Sequence, residues 1–257
     1  MNYLTGKGFI GKHLLEKVDA VHIPHGSLGS TLLEPFDYFY FLSSYGNLAS
    51  QTDKYLTYKA NVRDVLEAMF RIRHLDGAYK SFTYMSSSSV SLPVQTTYSI
   101  CKRLAEELLL EIGYTEDKPI HIIRPSSVTG VGEQPEHLIP TLLRAALSGD
   151  KVYLDPHATH DFIDVEDVVD GVLAISTSCP RGIYKLCTGK LTSNIEVLRL
   201  AEEITNRPIS YQITAQIRPY DTPNWSVTGL YPYGIWNPKK TLEQSILKQW
   251  EVLNDRA

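Results

Sequence analysis

The chain has 257 residues, 43% of them hydrophobic and 21% charged, a balance that excludes disordered and fibrous classes. Its 25 Lys and Arg against 29 Asp and Glu give a net charge of −4, which leaves no basic excess to neutralise a nucleic-acid backbone and excludes nucleic acid as a partner. No apolar run has the length of a membrane span, and Met1 to Gly11 lacks the regions of a signal peptide. Cys101, Cys179 and Cys187 are odd in number and lack zinc spacing. The expectation is a metal-free protein of the reducing cytoplasm, neither secreted nor membrane-spanning.

Along the chain, short β-rich runs alternate with helical periodicity. Strands are expected at Asn2 to Leu4, Ala20 to Ile23, Asp37 to Leu42, Ser81 to Met85 and Ile120 to Ile123, with helices at Ile10 to Val18, Tyr55 to Arg73 and Tyr98 to Ile112. This alternation predicts βαβ units on a parallel sheet. The Asp37 to Leu42 run is apolar nearly throughout, as suits a central strand covered on both faces. Beyond Pro125 the spacing predicts helices at Leu138 to Leu147 and Val165 to Ser176, a short strand near Val152 and another at Ile183 to Leu186. Ser193-Asn-Ile-Glu196 reads as a capping box, and Thr241-Leu-Glu-Gln244 as a second. Neither an internal repeat nor a flexible linker divides the chain.

Two motifs carry chemistry. Thr5-Gly-Lys-Gly-Phe-Ile-Gly11 lies between the first strand and first helix, where glycines let the backbone turn tightly and approach a pyrophosphate at a helix N-terminus. Tyr98-Ser-Ile-Cys-Lys102 sets a phenol and an ammonium one helical turn apart. The same spacing recurs at Tyr3/Lys7, Tyr55/Lys59 and Tyr114/Lys118, but only Tyr98 follows a strand that ends in a hydroxyl cluster, Ser86 to Ser89. A phenol beside a lysine cation and a positively charged cofactor ring is expected to ionise more readily and to exchange protons with a substrate hydroxyl.

With these motifs the sequence resembles the extended short-chain dehydrogenase/reductases, specifically the NAD(P)-dependent nucleotide-sugar epimerase/dehydratase group. Further matching stretches are Phe41-Leu-Ser-Ser44, Ala60-Asn61-Val62, Arg124-Pro-Ser-Ser-Val-Thr-Gly130, Leu138-Ile-Pro140, His160-Asp-Phe-Ile-Asp164 and Arg218-Pro-Tyr-Asp221. The resemblance implies an α/β fold: a doubly wound Rossmann-type parallel sheet in residues 1–125, to which segments near 160–190 return. A smaller, interleaved α+β substrate-binding part would occupy 126–257. It implies NAD or NADP bound by Gly6, Gly8, Phe9, Ile10, Gly11, Leu42, Ser43, Tyr98 and Lys102. Ser87, Tyr98 and Lys102 would be catalytic, and Ser88, Ser127 and Arg218 would contact a nucleotide-sugar. The implied activity is epimerisation through hydride transfer and a keto intermediate, with a homodimer as the assembly to test. A keto-sugar reductase is the alternative; a non-catalytic NAD(P)-binding sensor or scaffold is another, against which the retention of Tyr98 and Lys102 argues.

The chain also departs from that pattern. Val21-His-Ile-Pro-His25 offers no acid after the second strand for the adenosine ribose, and the short connection from Gly26 to Pro35 leaves no room for the usual third strand and its helix. His160 and His137 stand where the family commonly has Arg and Asn. Ser88-Ser89 follow Ser87 where dehydratases carry Asp-Glu, so 4,6-dehydration is not expected.

Overall fold

A computed structural model describes residues 1–73, 75, 79–214 and 226–255. Strands β1 (Asn2–Thr5), β2 (Val21–Ile23), β3 (Tyr38–Phe41), β4 (Ser81–Met85), β5 (Ile120–Pro125) and a later strand at Gly182–Leu186 form one parallel sheet. Its order is β2-β1-β3-β4-β5 with the Gly182–Leu186 strand at the far edge. All five residues of β4 are buried, which explains why it reads as continuously apolar or hydroxyl-bearing rather than alternating.

Helices cover both faces. On one, α1 (Phe9–Lys17) lies beside the later helix Val165–Ser178, and Leu14, Val168 and Val172 pack on Leu4, Tyr40 and Ile123. On the other face lie α2 (Lys54–Tyr58), a π-helical turn at Lys59–Arg63, α3 (Asp64–Ile72) and α4 (Thr97–Thr115). There Val65, Met69 and Leu109 meet Phe39, Phe41 and Phe82.

Between β2 and β3 the described chain forms only a short 3-10 turn at Leu28–Ser30. Leu28, Leu33 and Phe36 seal the sheet against Tyr3 and Phe39. Arg71 on α3 ties this segment down by donating to the carbonyls of Gly29 and Thr31. A packed connection thus stands where a strand and helix would otherwise extend the sheet.

The rest of the chain adds β6 (Ser127–Thr129), α5 (Leu138–Ser148), β7 (Val152–Leu154), β8 (Thr159–Asp164), α6 (Val165–Ser178), β9 (Gly182–Leu186), β10 (Leu191–Ser193), α7 (Asn194–Thr205), β11 (Tyr211–Ile213) and α8 (Leu242–Asn254). β10, β8 and β6 form a small sheet, and β11 pairs with β7. Both sequence-read capping boxes are present, Ser193/Glu196 opening α7 and Thr241/Gln244 opening α8. Helices α5, α7 and α8 share a separate core around Leu142, Val197, Leu198 and Ile246. The buried Asp161 carboxylate accepts from Ser126 Oγ, from the backbone and hydroxyl of Thr188 and from Gly189 N–H. That cluster locks the two sheets together beside the carboxyl ends of β5 and β9.

Candidate active site

The chain leaves β1 towards β2 on one side and returns to β3 on the other, so the order reverses between β1 and β3. Ligands of open α/β sheets bind at the carboxyl ends of strands at such a reversal. Here a cavity of about 470 Å³ opens there, lined by Gly6, Gly8, Phe9, Ile10, Gly11, Leu42, Ser44, Ser87, Tyr98 and Lys102 among others. That volume lies in the range of ligand pockets.

The three glycines meet different demands. Gly6 has φ +87°, and a Cβ there would lie 2.4 Å from the backbone N of Ser43. A Cβ on Gly11 would lie 2.0 Å from the Gly6 carbonyl oxygen. Gly8, in contrast, would meet nothing within 4 Å, and it lines the cavity. The first and last glycines therefore serve the turn and its packing on the helix. The middle one keeps open the space that a pyrophosphate needs at the N-terminus of α1. The residues present fit a dinucleotide.

At the other end of the cavity, Thr96 caps α4 in a reciprocal box with Ser99, which places Tyr98 in the first turn and Lys102 in the second. The Tyr98 side chain shares the cavity wall with Ser44 and Ser87. Burial pushes its pKa up, and the hydroxyls of Ser44 and Ser87 pull it back. The lowering expected from Lys102 is not what dominates, because Lys102 is itself 1% exposed and desolvation draws its pKa down to about 7. Its ammonium donates to the Met85 carbonyl at 2.8 Å and stands over the rings of Tyr84 and Tyr98 at 4.7 and 5.7 Å.

Ser87 caps the short turn Ser88–Ser91, its hydroxyl oxygen accepting from Ser89 N–H at 3.1 Å. Of the other expected contacts, Ser88 is buried and does not line the cavity. Its neighbours Ser86 and Ser89 do, and their hydroxyls have no protein partner among the described residues. Ser43, expected to contact the cofactor, is buried outside the lining, with its backbone N packed against Gly6. Ser127 is turned towards His160 Nδ1 at 3.5 Å, outside the lining, and Arg218 lies outside the described residues. Sequence reasoning gave no role to Ser44, Asn61, Gln134 or Ser89, and left His137 open between ligand contact and surface loop. His137 lines the cavity, its Nδ1 3.0 Å from Glu133 Oε1. Gln134 lines it as well, with Oε1 unpartnered.

A family description, the NAD dependent epimerase/dehydratase family, matches residues 32–187. The chain belongs to this family. The matched span begins after the glycine turn, within the short β2–β3 connection. GDP-6-deoxy-D-mannose reductase of Pseudomonas aeruginosa is 27% identical over an alignment of 301 positions, covering 97% of this chain and 96% of the relative. UDP-glucose 4-epimerase of Lactobacillus helveticus is 24% identical, covering 81% and 82%. Among solved structures, UDP-N-acetylglucosamine 4-epimerase from Methanobrevibacter ruminantium shares the fold with a TM-score of 0.87 at 16% identity, over 100% of this chain and 98% of that one. RMD from Pseudomonas aeruginosa, complexed with NADPH, does so at 0.82 and 20%, over 100% and 99%. Among the described residues no helix is long and apolar enough to cross a membrane, and no metal-binding cluster is found.

Proposed function

We propose that this member of the family is an NAD(P)-dependent epimerase acting on a nucleotide-linked sugar. The observation that carries the reading is one cavity whose wall brings together Ser44, Ser87, Tyr98 and, one helical turn on, the buried Lys102, with the glycine turn at its far end. NAD or NADP bound here would supply the hydride chemistry. The 6–11 turn would hold its pyrophosphate, with Leu42 and Ser43 at its side, and Lys102 would hold the nicotinamide ribose. Ser87 already accepts from Ser89 N–H, so its own proton is free to donate to the reacting sugar oxygen. Tyr98 takes the proton from that oxygen and gives it back when the hydride returns. The unpartnered hydroxyls of Ser86 and Ser89 and the Gln134 side chain suit the many hydroxyls of a sugar.

A second reading, a reductase that stops after one hydride transfer to a keto-sugar, is favoured by the match to the Pseudomonas reductase over 97% of the chain. Product analysis with UDP-, GDP-, CDP- and dTDP-sugars separates the two. Interconversion of two epimers supports the first reading. Stoichiometric oxidation of NAD(P)H by a keto-sugar nucleotide establishes the second, and bound cofactor without turnover on any substrate supports a sensor.

The partner we infer for the chain itself is a second copy. Tyr55 and Leu56 on α2 and Ile100 and Leu104 on α4 are exposed apolar side chains on two helices that pack side by side, a patch suited to a self-complementary two-fold contact. Sedimentation of wild type and Leu104→Glu tests this, a dimer that the substitution converts to monomer being the expected result.

A further inference from the structure

The buried Glu106–Arg124 pair takes no part in the chemistry above. Glu106 lies one turn beyond Lys102 on α4 and is 1% exposed. Arg124, in β5, grips both carboxylate oxygens, Nε to Oε1 at 2.9 Å and Nη2 to Oε2 at 2.5 Å. Its Nη1 donates to Thr228 Oγ1 at 2.7 Å. That oxygen lies 2.7 Å from the hydroxyl of Ser91, the last residue of the turn that Ser87 caps. One hydrogen-bonded path therefore runs from the helix of Lys102, through β5 and Thr228, to the turn of Ser87.

Stability alone is a poor reason for such a pair, since desolvating two charges commonly offsets their attraction. Lys102 supplies a better one. The titratable groups acting on it are Tyr98, Cys101 and Glu106 on its own helix and Tyr84 on β4. The π turn packed against α4 brings the uncharged Asn61, whose carbonyl accepts from Tyr84 Oη, while its Lys59 is held by Asp64. From β5, Arg124 reaches Lys102 only through Glu106. Glu106 is thus the carboxylate that favours the charged ammonium, and the two-point grip of Arg124 fixes its orientation.

We infer that Glu106, clamped by Arg124, is a positioning residue that provides the counter-charge of Lys102 and joins its helix to the Ser87 turn. The inference rests on the reading of Lys102 as the ligand of the nicotinamide ribose. It is tested without any sugar, by titrating the intact protein with NADH and NADPH by fluorescence between pH 6 and 9. In the wild type, affinity falls with rising pH as Lys102 loses its proton. In Glu106→Gln the midpoint of that fall moves to lower pH by about one unit, a tenfold change in the Lys102 protonation equilibrium. Because Glu106→Gln leaves a buried guanidinium unpaired, Glu106→Gln/Arg124→Met, which removes both charges, is measured beside it and moves the midpoint in the same direction. A midpoint at the wild-type pH in either folded variant overturns the inference and leaves the functional reading standing. A wild type that binds neither cofactor overturns both.

Discussion

Ser44 donates to Asn61 Oδ1 at 3.0 Å, and this bond ties the cavity wall that holds Tyr98 to the helical segment after β3. The Asn61 amide donates to the carbonyls of Tyr45 and Thr57 at 2.6 and 2.8 Å, so its Oδ1 is free only to accept. Ser44 Oγ, with its proton on Asn61, is thereby fixed in the cavity wall that also holds Tyr98. Asn61 sits in the π turn at Lys59–Arg63. Such local rewinding of a helix frequently marks a functional site. A hydrogen-bonded relay therefore runs from Ser44 in the cavity wall back into the helix that follows β3.

Tyr98→Phe removes the proposed proton carrier and keeps the ring. Turnover should fall roughly 100-fold or more, the scale of general acid/base catalysis, with cofactor affinity and thermal midpoint little changed. Steady-state kinetics beside calorimetry check this. Activity that survives in Tyr98→Phe but not in Tyr55→Phe or Tyr114→Phe would assign the chemistry to another Tyr/Lys pair.

Ser44→Ala removes a hydroxyl that favours the ionised phenol by turning its proton from Asn61 to the phenolate. The pKa of Tyr98 then rises, and a base that must be ionised acts only at higher pH. The rising limb of kcat/KM should move to higher pH. Below that limb the loss should be roughly fivefold, the equivalent of about 1 kcal/mol for one hydrogen bond. A pH profile superimposable on that of the wild type would show that Ser44 does not act on the phenol.

What the sequence disclosed and what it hid divide along the range of the interactions. The apolar run of β3 and the capping boxes at Ser193 and Thr241 are local patterns and are legible as such. The short strands β6, β8 and β10 are not: β6 and β10 have three residues each, and β8 is half polar because His160 and Asp161 meet partners distant in sequence. At the site, Tyr98 and Lys102 are visible because one helical turn relates them. Ser44 and Asn61 are 17 residues apart and Glu106 and Arg124 are 18, and only the sheet order brings each pair together. Ser88 looked interchangeable with Ser87 in a run of four serines. The turn that starts at Ser87 buries Ser88 and exposes Ser89 to the cavity instead.

The glycine turn separates folding from binding. Gly6→Ala places a Cβ against the Ser43 backbone in a left-handed conformation, so it should destabilise the protein by more than ~1 kcal/mol. Gly8→Ala has φ −85° and open space. Its thermal midpoint should stay near that of the wild type while NADH binds at least about tenfold more weakly, because the methyl group occupies the pyrophosphate's approach. Equal losses of stability in both variants would contradict this division of roles.

The hydroxyl turn argues against dehydration. Elimination of water from a hexose needs a carboxyl group beside the reacting carbon, and Ser89 presents only a hydroxyl to the cavity. Mass spectrometry after incubation with GDP-mannose or dTDP-glucose should show no 4-keto-6-deoxy product; its appearance would require an acid from outside the described residues.

Cofactor choice turns on the carboxyl end of β2. No acid follows Ile23 in the sequence, yet one approaches from another element: His25 Nε2 lies 3.8 Å from Asp64 Oδ2. That carboxylate is held by Lys59 Nζ, 2.9 Å from each oxygen. An unpaired acid there would bind the ribose 2′-hydroxyl of NAD and repel the 2′-phosphate of NADP. A neutralised one does neither well. Discrimination between the two cofactors should therefore stay below about 100-fold, roughly 2.7 kcal/mol. His25→Ala removes the imidazole beside that carboxylate and should weaken NADP binding relative to NAD. Asp64→Asn releases Lys59 and His25 from their carboxylate and should tilt the ratio towards NADP. Titrating both cofactors in wild type, His25→Ala and Asp64→Asn decides the matter. A preference for NAD above 100-fold that Asp64→Asn abolishes would mean that Asp64 acts as the ribose acid despite Lys59. The same preference unaffected by Asp64→Asn would place the discriminating group elsewhere on the shortened adenine side.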